Sequence, residues 1–344
     1  MARSDVRKWR SNRSSTLLSK FKRWRANPVG GFVRLLEFLY FGQPIFNFFI
    51  GNKGDLEQIS QISKSLNTTD SDQNLIFLNN VRVDLNENFI QLDSGHVLNS
   101  RLAANAIFSG EQWNLIRNVR KSKENKFNAG RYYSISHQRY FFHFLLEELP
   151  EMINANSLQL DISFVTLKDQ PKFVSELCQL AGINLQVVNH EIQLFEELVT
   201  PSYLRAYSNW SIEQLKLLSN QLEAKDSSFR KILLLRQGKA RSDDAFERFL
   251  ENLLTPLGYR VLNPEKHSNL EQIEIFLNAT EIVAIHGAAL SNLVFTNSDC
   301  KIFEIFNHPY RTYFFRDLAK LNGNSYTSCE SPTVQIDLPA WLDK

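Results

Sequence analysis

A histidine and a glutamate in the first half of the chain have the chemistry and spacing of a proton-transfer pair. In the segment YFFHFLLEELP, residues 140–150, His143 and Glu147 are at positions i and i+4 and share one helical face. A carboxylate beside an imidazole fixes the tautomer of the ring and raises its basicity, as removal of a hydroxyl proton requires. The pair is therefore a candidate catalytic base. The pattern also fits an amphipathic helix with Phe142 and its leucines buried and His143 on its border.

A second group of residues follows, or lies near the end of, strands that we predict in the last third of the chain. The group comprises Arg236, Arg241, His286, Gly287, Ala288, Ala289 and Glu304. In an open parallel sheet, ligands bind at the carboxyl ends of the strands. Arginine side chains and a glycine-led helix start can hold a diphosphate, and Glu304 can accept hydrogen bonds from ribose hydroxyls. Each signal alone has a simpler explanation, because Gly287 also fits a tight turn and Arg241 a solvated charge.

Ser268 and Glu271 form the S-x-x-E pattern of a capping box before an apolar run. Helix initiation is a sufficient reason for both residues. We therefore expect a structural role for Glu271.

Two series of elements position these candidates. From residue 75, short alternating runs such as IFLNN and VRVDL predict strands, and beyond Gly130 strands alternate with helices, the first helix at about 138–154. After a polar helix at about 211–225, four strands and four helices alternate as far as Leu321. Such alternation predicts parallel βαβ units and a Rossmann-like half.

The first 74 residues differ from the rest in charge and apolar pattern. Residues 1–25 hold nine of the 39 Lys and Arg residues and one acid, which leaves 30 basic against 36 acidic residues elsewhere. This asymmetry disfavours a nucleic-acid-binding surface and favours a local anionic partner for the tail. The apolar run at 31–51 contains Arg34 and Glu37 and is too interrupted for a membrane span. It is either an interfacial membrane anchor or a helix that docks on the protein body.

The remaining composition narrows the class of protein. Cys178, Cys300 and Cys329 have no C-x-x-C spacing, so neither a zinc site nor a disulfide framework is predicted. No cleavable signal peptide is recognisable, and this together with the cysteine usage favours a cytoplasmic location. The sequence has no G-x-S-x-G elbow, which disfavours a serine hydrolase.

The run HGAALSNLVF, residues 286–295, resembles the H-G-A-G-L-T-N-x-x-F signature of glycosyltransferase family 61. Neighbouring segments resemble that family in the same order. LEQIEIFLNATEIVAIHGAAL is similar to its helix and strand before the signature and FEIF to the strand after it. LLLRQGKAR is similar to its strand and arginine loop, and YFFHFLLEELP to its H-W-L-L-D-x-L-P segment. The resemblance covers about residues 130–325.

The resemblance implies an inverting enzyme of the GT-B fold, in which two Rossmann-like halves face a cleft and no structural metal is used. It implies that Arg236, Arg241 and the amides after His286 face a nucleotide-sugar donor, commonly UDP-linked, with Asn292 supporting the loop and His143 on the acceptor side. The sequence departs from the family at two places. Asp244-Ala245 stands where the family has Asn-Glu after the second arginine, and Ala289 replaces the second glycine of the signature.

We therefore expect an α/β, GT-B-like protein with a basic and apolar N-terminal extension at 1–74, an acceptor-side half at 75–225 and a nucleotide-sugar-binding half at 226–344. The expected function is transfer of a hexose or pentose, without a cofactor, to a glycan or lipid-linked acceptor in surface polysaccharide synthesis. The extension would bind the anionic inner face of the membrane, which makes the protein peripheral and cytoplasmic. The alternative is a catalytically silent glycan- or nucleotide-binding protein with the same fold.

Overall fold

The computed structural model describes residues 75–85, 89–91, 97–99, 127–135, 139–190, 192–201, 209–220, 222, 230–236, 243–308 and 312–343. The N-terminal extension and Arg241 lie outside these residues. The chain divides into two compact units, Met1–Ser136 with His190–Tyr203 and His137–Asn189 with Leu204–Lys344. Within the described ranges, no helix is long and apolar enough to cross a membrane.

The first unit is built on β-strands, numbered here in chain order. They are β1 (Leu75–Asp84), β2 (Phe89–Gln91), β3 (Val97–Asn99), β4 (Asn128–Ser134) and β7 (Ile192–Pro201). They lie in the order β3-β2-β1-β7-β4, in which β4 is parallel to β7 and the other neighbours are antiparallel. The runs IFLNN and VRVDL, predicted as separate strands, form the single strand β1. Asn80 lies inside β1 with a φ of 51°, in the left-handed region that asparagine tolerates.

Strand β7 is a correction to the sequence analysis, which predicted no strand there. Glu196 and Glu197 interrupt its apolar pattern, so its period is not visible in the sequence. Both glutamates have partners in β4. Glu196 accepts a hydrogen bond of 3.1 Å from the backbone N–H of Gly130, and Glu197 forms an ion pair with Arg131.

The second unit begins with a composite helix, α1. It consists of an α-helical turn at Phe141–His143, a π-helical segment at Phe144–Glu148 and an α-helix at Leu149–Ser157. The elements that follow are β5 (Ile162–Leu167), α2 (Lys172–Leu180), β6 (Leu185–Val188), α3 (Asn209–Ser219), β8 (Lys231–Leu234), α4 (Asp244–Leu254), β9 (Arg260–Leu262), α5 (Asn269–Asn278), β10 (Glu281–Ile285), β11 (Lys301–Phe306), α6 (Phe314–Leu321), β12 (Ser325–Glu330) and α7 (Val334–Leu342). Short 3₁₀ helices lie at Thr255–Leu257, Pro264–Lys266, Ala288–Phe295 and Ser331–Thr333.

A parallel sheet with the strand order β12-β11-β10-β8-β9 carries the second series of predicted elements. The prediction of four strands is wrong for this sheet, because β12 adds a fifth at its edge. Its sequence, SYTSCE, buries only Cys329, so an edge position leaves little apolar pattern to recognise. The mixed α/β class and the parallel βαβ units are confirmed, while two halves facing a cleft stay a prediction.

The sheet is held by an apolar core and by capped helices. Leu233, Val283 and Phe303, from three adjacent strands, are fully buried in one cluster with the apolar face of α4. Burying one such side chain stabilises a fold by about 1.5–3 kcal/mol. The predicted capping box is confirmed, since Ser268 and Glu271 exchange both of its hydrogen bonds at the start of α5.

Candidate functional site

The structure joins His143 and Glu147 as the sequence predicts. Nδ1 of His143 lies 2.9 Å from Oε2 of Glu147. The His143 side chain is 45% exposed and that of Glu147 is 16% exposed, so the imidazole can meet a ligand while the carboxylate is largely covered. Because an ionised carboxylate only accepts hydrogen bonds, it favours the tautomer with the proton on Nδ1 and the lone pair on Nε2. That is the tautomer a base needs.

The apolar face of α1 explains how His143 can be both on a packed helix and accessible. Phe144, Leu145 and Leu149 are fully buried, whereas Phe142 and His143 are half-buried. The expectation that Phe142 is buried is therefore wrong. The π-helical segment begins directly after His143, and segments of this kind occur frequently at functional sites. The two interpretations of this segment are compatible, because its apolar residues form core and its histidine lies at the edge.

The hydrogen bond that His143 donates to Glu147 raises the pKa of His143, the negative charge of Glu147 adds to this effect, and partial burial opposes it. The neutral imidazole, which alone can accept a proton, is thus populated only at a higher pH than for an isolated histidine. We expect a catalytic rate that falls on the acid side of this raised pKa. Glu147→Gln should lower the pKa, move the acidic limb of the pH–rate profile to lower pH, and reduce the plateau several-fold. Turnover measured across pH checks this, and an acidic limb that stays in place would exclude His143 as the titrating group.

A second histidine–carboxylate pair lies at the carboxyl ends of β10 and β11. Nδ1 of His286 is 2.6 Å from Oε1 of Glu304, and the hydroxyl of Tyr326 donates a 2.5 Å hydrogen bond to Oε2 of the same carboxylate. Glu304 is fully buried, so both of its oxygens are satisfied within the protein. Burial and the Glu304 charge raise the pKa of Tyr326, which keeps it a donor. In this arrangement Glu304 orients His286. The contact of Glu304 with ribose hydroxyls stays a prediction.

Arg236 approaches the same loop from β8. Its Nη1 donates a 2.7 Å hydrogen bond to the backbone carbonyl of His286. A Cβ atom on Gly287 would lie 2.5 Å from this nitrogen, and the φ of Gly287, 175°, is ordinary extended backbone. Glycine at this position therefore makes room for the end of the Arg236 side chain and does not serve a tight turn.

The loop continues into the 3₁₀ helix Ala288–Phe295, which Asn292 fixes from inside. Asn292 is buried and donates hydrogen bonds of 3.1 Å to Oε1 of Gln272 and 3.2 Å to the carbonyl of Ala289. Ala289 has no positive φ, so alanine is compatible with the backbone where the family has glycine. Ala288 is exposed at the start of this helix, where N–H groups lack partners within the helix.

Two phenylalanines connect the two histidine pairs within the second compact unit. The Phe142 ring lies 5.1 Å from the His143 ring and 5.9 Å from the Phe315 ring, measured between centroids. The Phe315 ring in turn lies 5.5 Å from the ring of His286. The structure thereby brings the candidate base and the candidate diphosphate loop to one aromatic cluster.

Comparison with protein families gives a match over this region. The family described as Glycosyltransferase 61 matches residues 141–303. This part of the chain belongs to glycosyltransferase family 61. No curated protein matches the sequence. The matched region begins at the first residue of α1 and ends one residue before Glu304, so the family 61 region contains His143, Arg236 and the His286 loop.

Two residues that contact this site, Tyr326 and Phe315, were not among the sequence candidates. Tyr326 lies in the strand that has little apolar pattern, and Phe315 lies in a helix where aromatic residues normally indicate core. No spacing rule links either residue to a histidine far away in the chain. Within the described residues there is no group of three or more His, Cys, Asp or Glu side chains that could hold a metal ion. Cys178, Cys300 and Cys329 are buried.

Proposed function

We propose that the protein is an inverting, metal-independent glycosyltransferase that moves a sugar from a nucleotide-sugar, with UDP as the expected nucleotide, to a glycan or lipid-linked acceptor in surface polysaccharide synthesis. The family 61 match supports sugar transfer in general. The observation that carries the mechanism is the hydrogen bond between His143 and Glu147 in a partly exposed position.

In the proposed reaction, His143 takes the proton of an acceptor hydroxyl through Nε2 while the acceptor oxygen attacks the anomeric carbon of the donor. The bond from that carbon to the diphosphate oxygen breaks, and the nucleoside diphosphate leaves with the electron pair. Arg236 and the loop after His286 stabilise its charge. A single displacement inverts the anomeric configuration. Glu147 stabilises the imidazolium that forms.

A panel of nucleoside diphosphates and nucleotide-sugars tests the proposed function. Ligands that bind the folded protein raise its melting temperature by mass action, and we expect one nucleotide series to be selected. The selected donor should be hydrolysed slowly without an acceptor, and EDTA should change neither binding nor hydrolysis. Selective binding without any hydrolysis would favour the alternative, a catalytically silent binding protein. The departure from the family sequence at Asp244-Ala245 is the observation that suggests this alternative. No stabilisation by any nucleotide would contradict both functions.

The N-terminal extension is proposed as a peripheral membrane anchor because it combines clustered Lys and Arg with Trp and Phe over residues 1–50. We expect the full chain to sediment with anionic liposomes and to be released by high salt, since salt screens charge attraction. A variant that lacks residues 1–50 should stay in the supernatant. Equal sedimentation of both proteins would show that the extension is not the anchor.

A further inference from the structure

A pocket of about 270 Å³ opens at the carboxyl ends of β11 and β12 in the second unit. Its lining consists of Phe306, Tyr313, Ser328, Cys329, Glu330 and Thr333. Ligands of open parallel sheets bind at this end of the strands. The mechanism above uses none of these six residues, so the pocket has no assigned occupant.

The pocket adjoins the candidate diphosphate loop through a shared ring. Phe306 lines the pocket, and its ring centroid is 5.1 Å from that of His286. Tyr313 packs edge-on against Phe306 at 6.0 Å, and the guanidinium of Arg316 lies 4.6 Å from the centre of the Tyr313 ring. Arg316 also forms an ion pair with Asp317 at 2.9 Å. The aromatic walls are therefore held in place by contacts on their own helix and strand.

The lining chemistry suits a neutral ring that carries hydroxyl groups. Aromatic faces pack against the apolar side of such a ring, and the Glu330 carboxylate and the hydroxyls of Ser328 and Thr333 can exchange hydrogen bonds with its rim. The carboxylate disfavours phosphate or an acidic sugar by charge repulsion. Burial raises the pKa of the Cys329 thiol to about 12, so this side chain is not a thiolate nucleophile.

The position of the candidate base decides which end of a nucleotide-sugar reaches this pocket. The diphosphate lies between nucleoside and sugar, and only the sugar carries the anomeric carbon that the candidate base must approach. Phe142, next to His143, contacts Phe314 and Phe315 of α6 with ring centroids 5.6 Å and 5.9 Å apart, and Tyr313 directly precedes that helix. Since the base must reach the anomeric carbon, the sugar belongs on the side of α6 and β11.

We propose that the pocket at β11 and β12 holds the neutral sugar ring of the donor, an inference that rests on the proposed transferase function. Tyr313 and Glu330 are then specificity-determining residues. Tyr313 supplies a stacking surface. Glu330 accepts hydrogen bonds from the sugar and disfavours anionic sugars.

Calorimetric titration tests the proposal with UDP, GDP and their sugar conjugates UDP-glucose, UDP-glucuronate, UDP-galactose, UDP-N-acetylglucosamine and GDP-mannose. We expect Tyr313→Ala to weaken the best nucleotide-sugar about tenfold, which is about 1.4 kcal/mol, and its parent nucleoside diphosphate less than twofold. Glu330→Gln should narrow the preference for UDP-glucose over UDP-glucuronate. Thr327→Ala, an exposed change on β12 outside the pocket, should alter neither affinity.

Melting temperatures confirm that each variant is folded before its affinities are compared. Equal weakening of the nucleoside diphosphate and its sugar conjugate by Tyr313→Ala would place the nucleoside in the pocket and overturn the proposal. Unchanged affinities for both would show that the donor does not enter it. If the wild-type protein binds no nucleotide at all, the proposed function fails, and the inference fails with it.

Discussion

Replacement of His143 by alanine should lower the turnover of sugar transfer by about a hundredfold or more, because a positioned general base contributes about 10²–10⁴-fold to such reactions. Nucleotide affinity should stay nearly unchanged, since the expected contacts to the diphosphate come from Arg236 and the loop after His286. The change removes a group that acts only in the transition state, so the loss should appear in kcat. Turnover, nucleotide affinity and melting temperature measured on the same purified variant check this.

The matched control is His190→Ala, which removes an exposed imidazole from the first compact unit. It should leave turnover, affinity and melting temperature close to those of the wild type. A His143→Ala protein that folds, binds donor and transfers sugar at near wild-type rate would remove His143 from the mechanism. A parallel loss of melting temperature and of binding would instead indicate a structural role in α1.

Arg236→Ala should weaken nucleoside diphosphate binding by about 1.5–3 kcal/mol, or roughly ten- to 150-fold, if one charged hydrogen bond is lost. Arg236→Lys should recover part of the affinity, because an ammonium keeps the charge but not the planar fork. Gly287→Ala should act in the same direction but more mildly, since its Cβ displaces the flexible end of the Arg236 side chain. Titration calorimetry with the selected nucleotide measures all three.

The control for this series is Arg248→Ala, an exposed arginine of α4 in the same unit. Its nucleotide affinity should equal that of the wild type. If Arg236→Ala and Gly287→Ala bind the diphosphate as tightly as the wild type, the phosphate site lies elsewhere. Loss of binding on addition of EDTA would point to a metal-dependent site.

How much of this site could be predicted depended on how local each signal is. The His143 pair and the Ser268 capping box are short-range patterns along one helix, so spacing alone places their side chains. The loop at Gly287 was recognised from strand ends and family resemblance. The contact that explains a glycine there is the approach of Arg236 to this loop. It joins residues 50 positions apart in the sequence, so no periodic pattern predicts it.

The same distinction applies to the fold. Strands with buried apolar runs, such as β10 and β8, belong to the alternating series that the sequence predicts. The edge strand β12 and the glutamate-containing β7 were not, because their place in a sheet depends on partners from other segments. The position of Glu304 near the end of a strand was predicted. Its hydrogen bond from Tyr326 was not, because Tyr326 belongs to another strand. Contacts between side chains of one helix or strand can be predicted from their spacing, whereas contacts between different elements depend on how those elements pack.

The π-helical segment in α1 has a consequence for the orientation of His143. A π-helical turn closes hydrogen bonds to the fifth residue instead of the fourth, so it holds one residue more than an α-helical turn. In an α-helix one residue corresponds to a rotation of about 100°. The π-helical segment Phe144–Glu148 therefore absorbs one residue that a regular α-helix of the same sequence would accommodate by turning Phe141–His143 by about that angle relative to the buried leucines. The π-helical segment thus sets the direction in which the His143 side chain leaves the helix.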